Sequence, residues 1–107
     1  MADAQLEFLA SGGFEWDENK SKTNLRKHGY EFEDASQIFY GPVVLRRSNR
    51  NNETRWVAVG SLQHRLIAVI FTKRAEAVRI ISARRARKHE ERAYRNAKMG
   101  RSPQGQD

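Results

Sequence analysis

The apolar positions of this chain fall into short runs, some spaced as on a helix face and some dense in Val, Ile and Phe as in strands. Phe14-Glu15-Trp16 alternates apolar and polar, which suits a short strand. Asp17 stands at an N-cap position and Gly29 at the position just past a helix end. They bracket a helix over 17–28, with Lys27 and His28 in its last turn, where positive charge complements the dipole. Leu25 is its one large aliphatic residue, so this helix must lean on its neighbours. Phe32, Ala35, Ile38 and Phe39 recur at helical spacing and predict a second helix over 31–39, stopped by Gly41-Pro42. Val43-Val44-Leu45 starts a strand, and 46–52 reads as a polar, basic loop. Strands over 55–62, 65–73 and 77–85 follow, joined by Gln63-His64 and Ala75-Glu76, each short enough for a tight hairpin. Leu66 to Phe71 is apolar on both faces, as a central strand is. A last helix runs over about 86–98, with Ala86, Ala93, Tyr94 and Ala97 for packing.

The order β-α-α-β-β-β-β-α describes an α+β domain: a twisted antiparallel sheet, two N-terminal helices packed on one face, and a C-terminal helix. The other face would carry the polar chemistry. One domain over 14–98 accounts for the patterned residues, with 1–13 as a leader and 99–107 as a flexible tail.

Charge sharpens this picture. Residues 79–101 hold nine basic side chains against Glu90 and Glu91, so this quarter of the chain matches the formal +7 of the whole. Such a concentration is the electrostatic footprint of a protein that meets a polyanion, or the basic face of a solvated helix. There is no cysteine, hence no disulfide or thiolate metal site, and the three histidines stand at no metal-ligand spacing. No run approaches the ~20 apolar residues of a membrane span. A cytoplasmic protein without cofactor or metal is the expectation.

No nucleophile elbow, P-loop or dinucleotide fingerprint is present. Arg, Lys, His and Glu remain, and that set suits cleavage of RNA. RNA carries its own nucleophile, the 2′-hydroxyl, so the protein needs a base, a cation beside the phosphate and an acid at the leaving oxygen. Arg84 and Arg85 end a strand and point to opposite faces, so one lies with Val78 and Ile80 and the other with Arg79 and Ile81. Arg84 fits a phosphate-binding role or a structural ion pair. Arg79 interrupts an apolar strand and must reach solvent or a partner; Arg55 opens a strand. His28 serves either as a helix-end cap or in proton transfer. Lys20, Asn24 and Lys27 share one helix side, a phosphate-binding ridge or plain solvated surface. Glu33 lies in a first helical turn, where the dipole alone accounts for it. Glu90 and Tyr94, one turn apart, fit packing and an arginine pair as well as catalysis. Trp16 and Trp56 read as core before they read as base-stacking platforms.

Phe14-Glu-Trp16-Asp17-x-x-Lys20-x-x-x-Asn24-x-x-Lys27-His28-Gly29-x-x-Phe32-x-x-Ala35 resembles the opening signature of the BrnT toxin family. Ile80-Ile81-Ser82-Ala83-Arg84-Arg85-Ala86, followed by Glu90 and Tyr94, is similar to its closing signature, and Arg55-Trp56 with Gly60 matches the middle. The resemblance covers about residues 14–96. It implies a RelE-like ribonuclease fold and a bacterial toxin that cleaves RNA without a metal and blocks translation. It implies a BrnA-type DNA-binding antitoxin, in a higher-order complex that reaches operator DNA only through the antitoxin. Carried over position by position, the residues it implies are Lys20, His28, Arg55, Arg79 and Arg84, with Glu33, Glu90 and Tyr94 beside them, base and acid unassigned. Together with the charge pattern, this sets the expectation of Arg84, Arg79, His28, Lys20, Arg55 and Glu33 in catalysis, and of Lys27, Arg85, Lys88, Arg92 and Tyr94 in RNA contact. Two departures stand out. Arg87 replaces a small hydroxyl residue expected to cap the last helix, and 46–52 is basic where relatives are acidic or mixed.

Two other readings are compatible with the composition: a non-catalytic nucleic-acid-binding module using 79–101, and an interaction protein whose basic surface docks an acidic partner.

Overall fold

The structure, a computed structural model, describes residues 12–50 and 52–98. The elements are β1 (Phe14–Glu15), α1 (Glu18–His28), α2 (Phe32–Ala35), a 3-10 segment (Ser36–Tyr40), β2 (Val44–Arg50), β3 (Glu53–Leu62), β4 (Arg65–Arg74), β5 (Ala77–Arg85) and α3 (Lys88–Lys98). The expected leader and tail lie outside the described residues except for Gly12 and Gly13. Those two join the fold: the Gly12 N–H donates to the Glu76 carbonyl and the Val78 N–H to the Gly13 carbonyl.

The α+β class holds, but the sheet is mixed. Its order is β1-β5-β4-β3-β2, with β2 to β5 antiparallel and β1 parallel to β5. The chain enters beside β5, crosses through both N-terminal helices, and reaches the far edge before building its hairpins. A second correction concerns 46–52. Most of it is strand: β2 runs to Arg50 and pairs with β3 from Val44↔Val59 to Arg50↔Glu53. An outer strand faces water along one edge, so polar and basic side chains do not exclude pairing there. Both short hairpins are present; Gln63 and His64 take positive φ, as primed two-residue turns require, and Ala75 does so in the next turn.

α1 begins where Asp17 accepts hydrogen bonds from the Asn19 and Lys20 N–H groups, and it ends at Gly29 in the left-handed region (φ 85°). The second predicted helix divides into one α-turn and the 3-10 segment. Phe32, Ala35, Ile38 and Phe39 from this stretch form the main core with Ala58, Ile67, Val69, Phe71, Val78, Ile80 and Ala83 on the first sheet face. Gly60 allows that approach: a Cβ there would stand 3.0 Å from both Ile38 Cβ and Val43 Cγ1.

The second face, expected to carry the polar chemistry, is partly covered. α3 crosses part of it and seats Tyr94 with Val57, Val59 and Ala68 in a second cluster, so helices cover both faces. The remainder of this face presents a row of positions, Ser48, Arg55, Thr72, Arg79 and Glu15, one from each strand, in which Ser48–Arg55, Thr72–Arg79 and Arg79–Glu15 are cross-strand partners.

Candidate functional site

β5 organises the candidate site because it is bulged. Ile70 pairs with Ser82 and Phe71 with Ile80, so Ile81 is the extra residue. The bulge reverses the parity of the residues after it. Ala83 shares the first face with Val78 and Ile80, and Arg84 shares the second face with Arg79. Uninterrupted alternation would have separated the two arginines.

The outer edge of β5 beyond the short β1 pairing is closed by a side chain. Asn24 donates to the Ala83 carbonyl (2.9 Å) and the Tyr30 carbonyl (2.7 Å), and it accepts from the Ala83 N–H (3.2 Å) and the Ser82 hydroxyl (3.4 Å). All four hydrogen-bonding positions of its amide are used. It acts as a one-residue strand partner that fastens α1 to β5. Ser21, on the same helix, accepts the Phe32 N–H and fixes the next turn of chain.

With α1 fastened there, Lys20, Thr23, Asn24, Lys27 and His28 line a shallow concavity of about 230 Å³ against Ile81 and Ser82. Three sequence candidates thus meet beside the bulge. Two ammonium groups, an imidazole and two hydroxyls around one hollow can neutralise a phosphate and move a proton.

The arginines of the second face are mostly engaged. Glu90 is buried, and its carboxylate accepts from Arg84 Nη1 and Nη2 (2.9 Å each), Arg46 Nη2 (2.8 Å) and the Arg87 N–H (2.8 Å). Burial raises its pKa. Hydrogen bonds from Arg84, the Arg87 N–H and Arg46, with the Arg84 charge, outweigh that and hold it at about 2, against an ordinary 4.5. Arg84 is therefore built into an ion-paired network, and Nη1 also donates to the Arg85 carbonyl. The Arg87 contact supplies at the start of α3 a backbone N–H partner that the missing hydroxyl residue would not have provided. Arg46, read as a loop residue, is the member of this network that the sequence concealed.

Arg79 pairs with Glu15 (3.2 Å) and Arg55 with Glu53 (2.9 Å). Both stand in the open row on either side of Thr72, about 10 Å apart from the strand spacing. The remaining candidates lie apart. Glu33 is exposed on α2, remote in the fold from the open row, and its carbonyl accepts the Ser36 hydroxyl. Arg85, Lys88 and Arg92 are exposed beside or on α3, whereas Tyr94 is 6% exposed within the second cluster. Trp16 packs edge-on to Phe32, and Trp56 lies beneath the Arg47 guanidinium, 5.2 Å from its ring centre. Among the described residues no cluster of His, Asp and Glu could hold a metal ion, and no helix is long and apolar enough to cross a membrane.

Among curated proteins none matches this chain. Residues 16–90 match the family described as "Ribonuclease toxin, BrnT, of type II toxin-antitoxin system". That span starts at Trp16, takes in all of α1 with its cation-bearing side, and ends on Glu90. The chain belongs to the BrnT family of ribonuclease toxins of type II toxin-antitoxin systems, with RNA as its class of substrate and an antitoxin as its partner.

Proposed function

We propose that this toxin is a metal-independent endoribonuclease whose chemistry takes place in the concavity between α1 and the bulge of β5. The observation that carries this reading is the meeting of Lys20, Lys27 and His28 with Ser82 around that hollow. In the proposed reaction the 2′-oxygen of one nucleotide attacks the adjacent phosphorus. His28 takes the 2′-hydroxyl proton, since imidazole is the group of this set suited to proton exchange near neutral pH. The phosphorus–5′-oxygen bond breaks and the leaving oxygen takes up a proton, giving a 2′,3′-cyclic phosphate and a 5′-hydroxyl. Lys20 and Lys27 neutralise the charge that builds on the phosphorane, the electrostatic task for which preorganised cations suffice.

Arg79 and Arg55 extend the binding surface across the open row of the sheet. Arg84 acts by holding, with Glu90 and Arg46, the junction of β5 and α3, and the three together keep one net positive charge at that junction. Arg85, Lys88 and Arg92 add attraction for the RNA backbone. Glu33 has no place in this scheme. Cleavage would stop translation in the bacterial cytoplasm. The fold would be RelE-like, and the antitoxin would be of the BrnA type, carrying the complex to operator DNA.

The test compares the parent protein with His28→Ala and Lys20→Ala on one defined RNA, with circular dichroism to verify folding. Each substitution should lower the cleavage rate by about a hundredfold or more. Folded variants that cleave at the parent rate would remove the chemistry from this concavity.

A further inference from the structure

A second depression, of about 390 Å³, lies at the opposite end of α3 from the Glu90 network. It is lined by Ser61, His64, Leu66, Tyr94, Arg95 and Lys98. Apart from Leu66, every one of these side chains can donate a hydrogen bond, and there is no carboxylate among them. Arg95 makes only a long contact with Glu91 (3.6 Å) in its own helix. Two features mark this place as more than basic surface. Tyr94 is 6% exposed, yet among the described residues its hydroxyl has no hydrogen-bond partner, an arrangement that costs stability unless something else satisfies it. His64 is held at φ 70° and Gln63 at φ 52°, in a turn whose favoured residues are Asn and Gly. The strained turn sets His64 in the lining of the same depression as Tyr94.

We propose that this depression is an RNA exosite that binds a backbone phosphate several nucleotides from the cleaved bond. The proposal rests on the ribonuclease reading for its ligand, though not on the identity of the cleaving residues. A phosphodiester oxygen accepts from the Tyr94 and Ser61 hydroxyls while Lys98, Arg95 and His64 supply charge. The two full cations exceed the partial negative charge at the end of α3, about half an elementary charge. Six residues along β4 separate the level of His64 from Ile70, the partner of Ser82, which is about 20 Å of strand. A single RNA strand of several nucleotides can reach both places, passing the exposed side of α3 with Lys88 and Arg92.

The experiment measures binding of fully 2′-O-methylated RNA, which cannot be cleaved by its own 2′-oxygen, at two lengths of about four and about twelve nucleotides. Fluorescence anisotropy is read over a salt series for the parent, Tyr94→Phe, His64→Gly and Lys98→Ala. His64→Gly relieves the strained φ while deleting the imidazole, so a loss of binding there is not a loss of folding. Tyr94→Phe should leave the urea midpoint unchanged or raised, because the hydroxyl it removes is unpartnered. It should weaken binding of the longer RNA about tenfold. Lys98→Ala should lower the slope of log affinity against log salt by about 0.7 for the longer RNA. The ratio of variant to parent affinity should approach one for the shorter RNA. Equal affinities and slopes for parent and variants on the longer RNA would overturn the exosite, as would defects of the same size at both lengths. A parent that binds neither RNA would overturn the ribonuclease reading and the exosite with it. A defect confined to antitoxin binding would assign the surface to the antitoxin instead.

Discussion

Substituting Glu90→Gln tests the network that joins β5 to α3. The carboxylate accepts four hydrogen bonds, three from two guanidinium groups and one from the Arg87 N–H. Its pKa of about 2, against 4.5 in an ordinary setting, measures how much the fold prefers the charged form. At ~1.4 kcal/mol per pH unit that interval is worth about 3 kcal/mol. The amide keeps the shape, removes the charge, and turns an NH₂ group toward two arginines, so the loss at pH 7 should be about 3 kcal/mol or somewhat more. That is a large part of the ~5–15 kcal/mol that holds a domain of this size together. The sign with pH is set by the lowered pKa. The Glu90 contribution is complete above the unfolded value of 4.5 and is lost as pH falls through about 2. Urea denaturation followed by circular dichroism at steps from pH 7 to pH 2.5 should show a constant gap between the two proteins above about pH 5, narrowing steadily below it. A gap under about 1 kcal/mol at pH 7, or one that does not narrow in acid, would refute the claim that this carboxylate anchors the junction.

Asn24→Ala should cost about 3 kcal/mol or more, because it strips partners from the buried N–H and C=O of Ala83; urea denaturation measures it, and a loss below 1 kcal/mol would mean the edge is closed by other means. The same substitution should speed amide exchange at Ala83, the donor it leaves unpaired. Gly60→Ala should destabilise by about 1–3 kcal/mol, since its Cβ meets Ile38 and Val43 at 3.0 Å. A neutral result in thermal melting would show that the 3-10 segment yields. Arg84→Ala should lower stability along with activity, and refolding conditions that restore the fold should restore much of the cleavage, whereas His28→Ala should lose cleavage with the fold intact.

The parts of the fold that local chemistry decides were legible in the sequence. Asp17 and Gly29 delimit α1 because capping and left-handed backbone are requirements of the helix itself. The two hairpins follow from loop length, and the apolar run of β4 predicts its central place. The features that were not legible depend on partners far away in the chain. A two-residue β1 pairs with a strand some 64 residues on, and nothing local announces whether it runs parallel. The extension of β2 was hidden by its polar composition, which an edge strand tolerates. The bulge at Ile81 moved Arg84 to the face of Arg79, and no residue there is the glycine that often marks such a site.

The candidate site divides along the same line. Lys20 and Lys27 were readable as one side of a helix and His28 as its end, and the fold sets all three against the bulge. Asn24 belongs to the same side by spacing, yet its amide turns inward to β5. Such a switch of role depends on the unpaired edge of a strand formed much later in the chain. The pairing of Glu90 with Arg84 was one of two roles open to each residue. The third member, Arg46, could not be found while its segment read as loop.

The measurement that bears most directly on the proposed chemistry is end-group analysis of a defined RNA incubated with the purified toxin in excess EDTA, beside folded His28→Ala. Metal-independent attack by the 2′-oxygen predicts fragments ending in 2′,3′-cyclic phosphate and 5′-hydroxyl from the parent, and intact RNA from the variant. Intact RNA from the parent until a divalent metal is restored, or fragments with 3′-hydroxyl and 5′-phosphate ends, would contradict it.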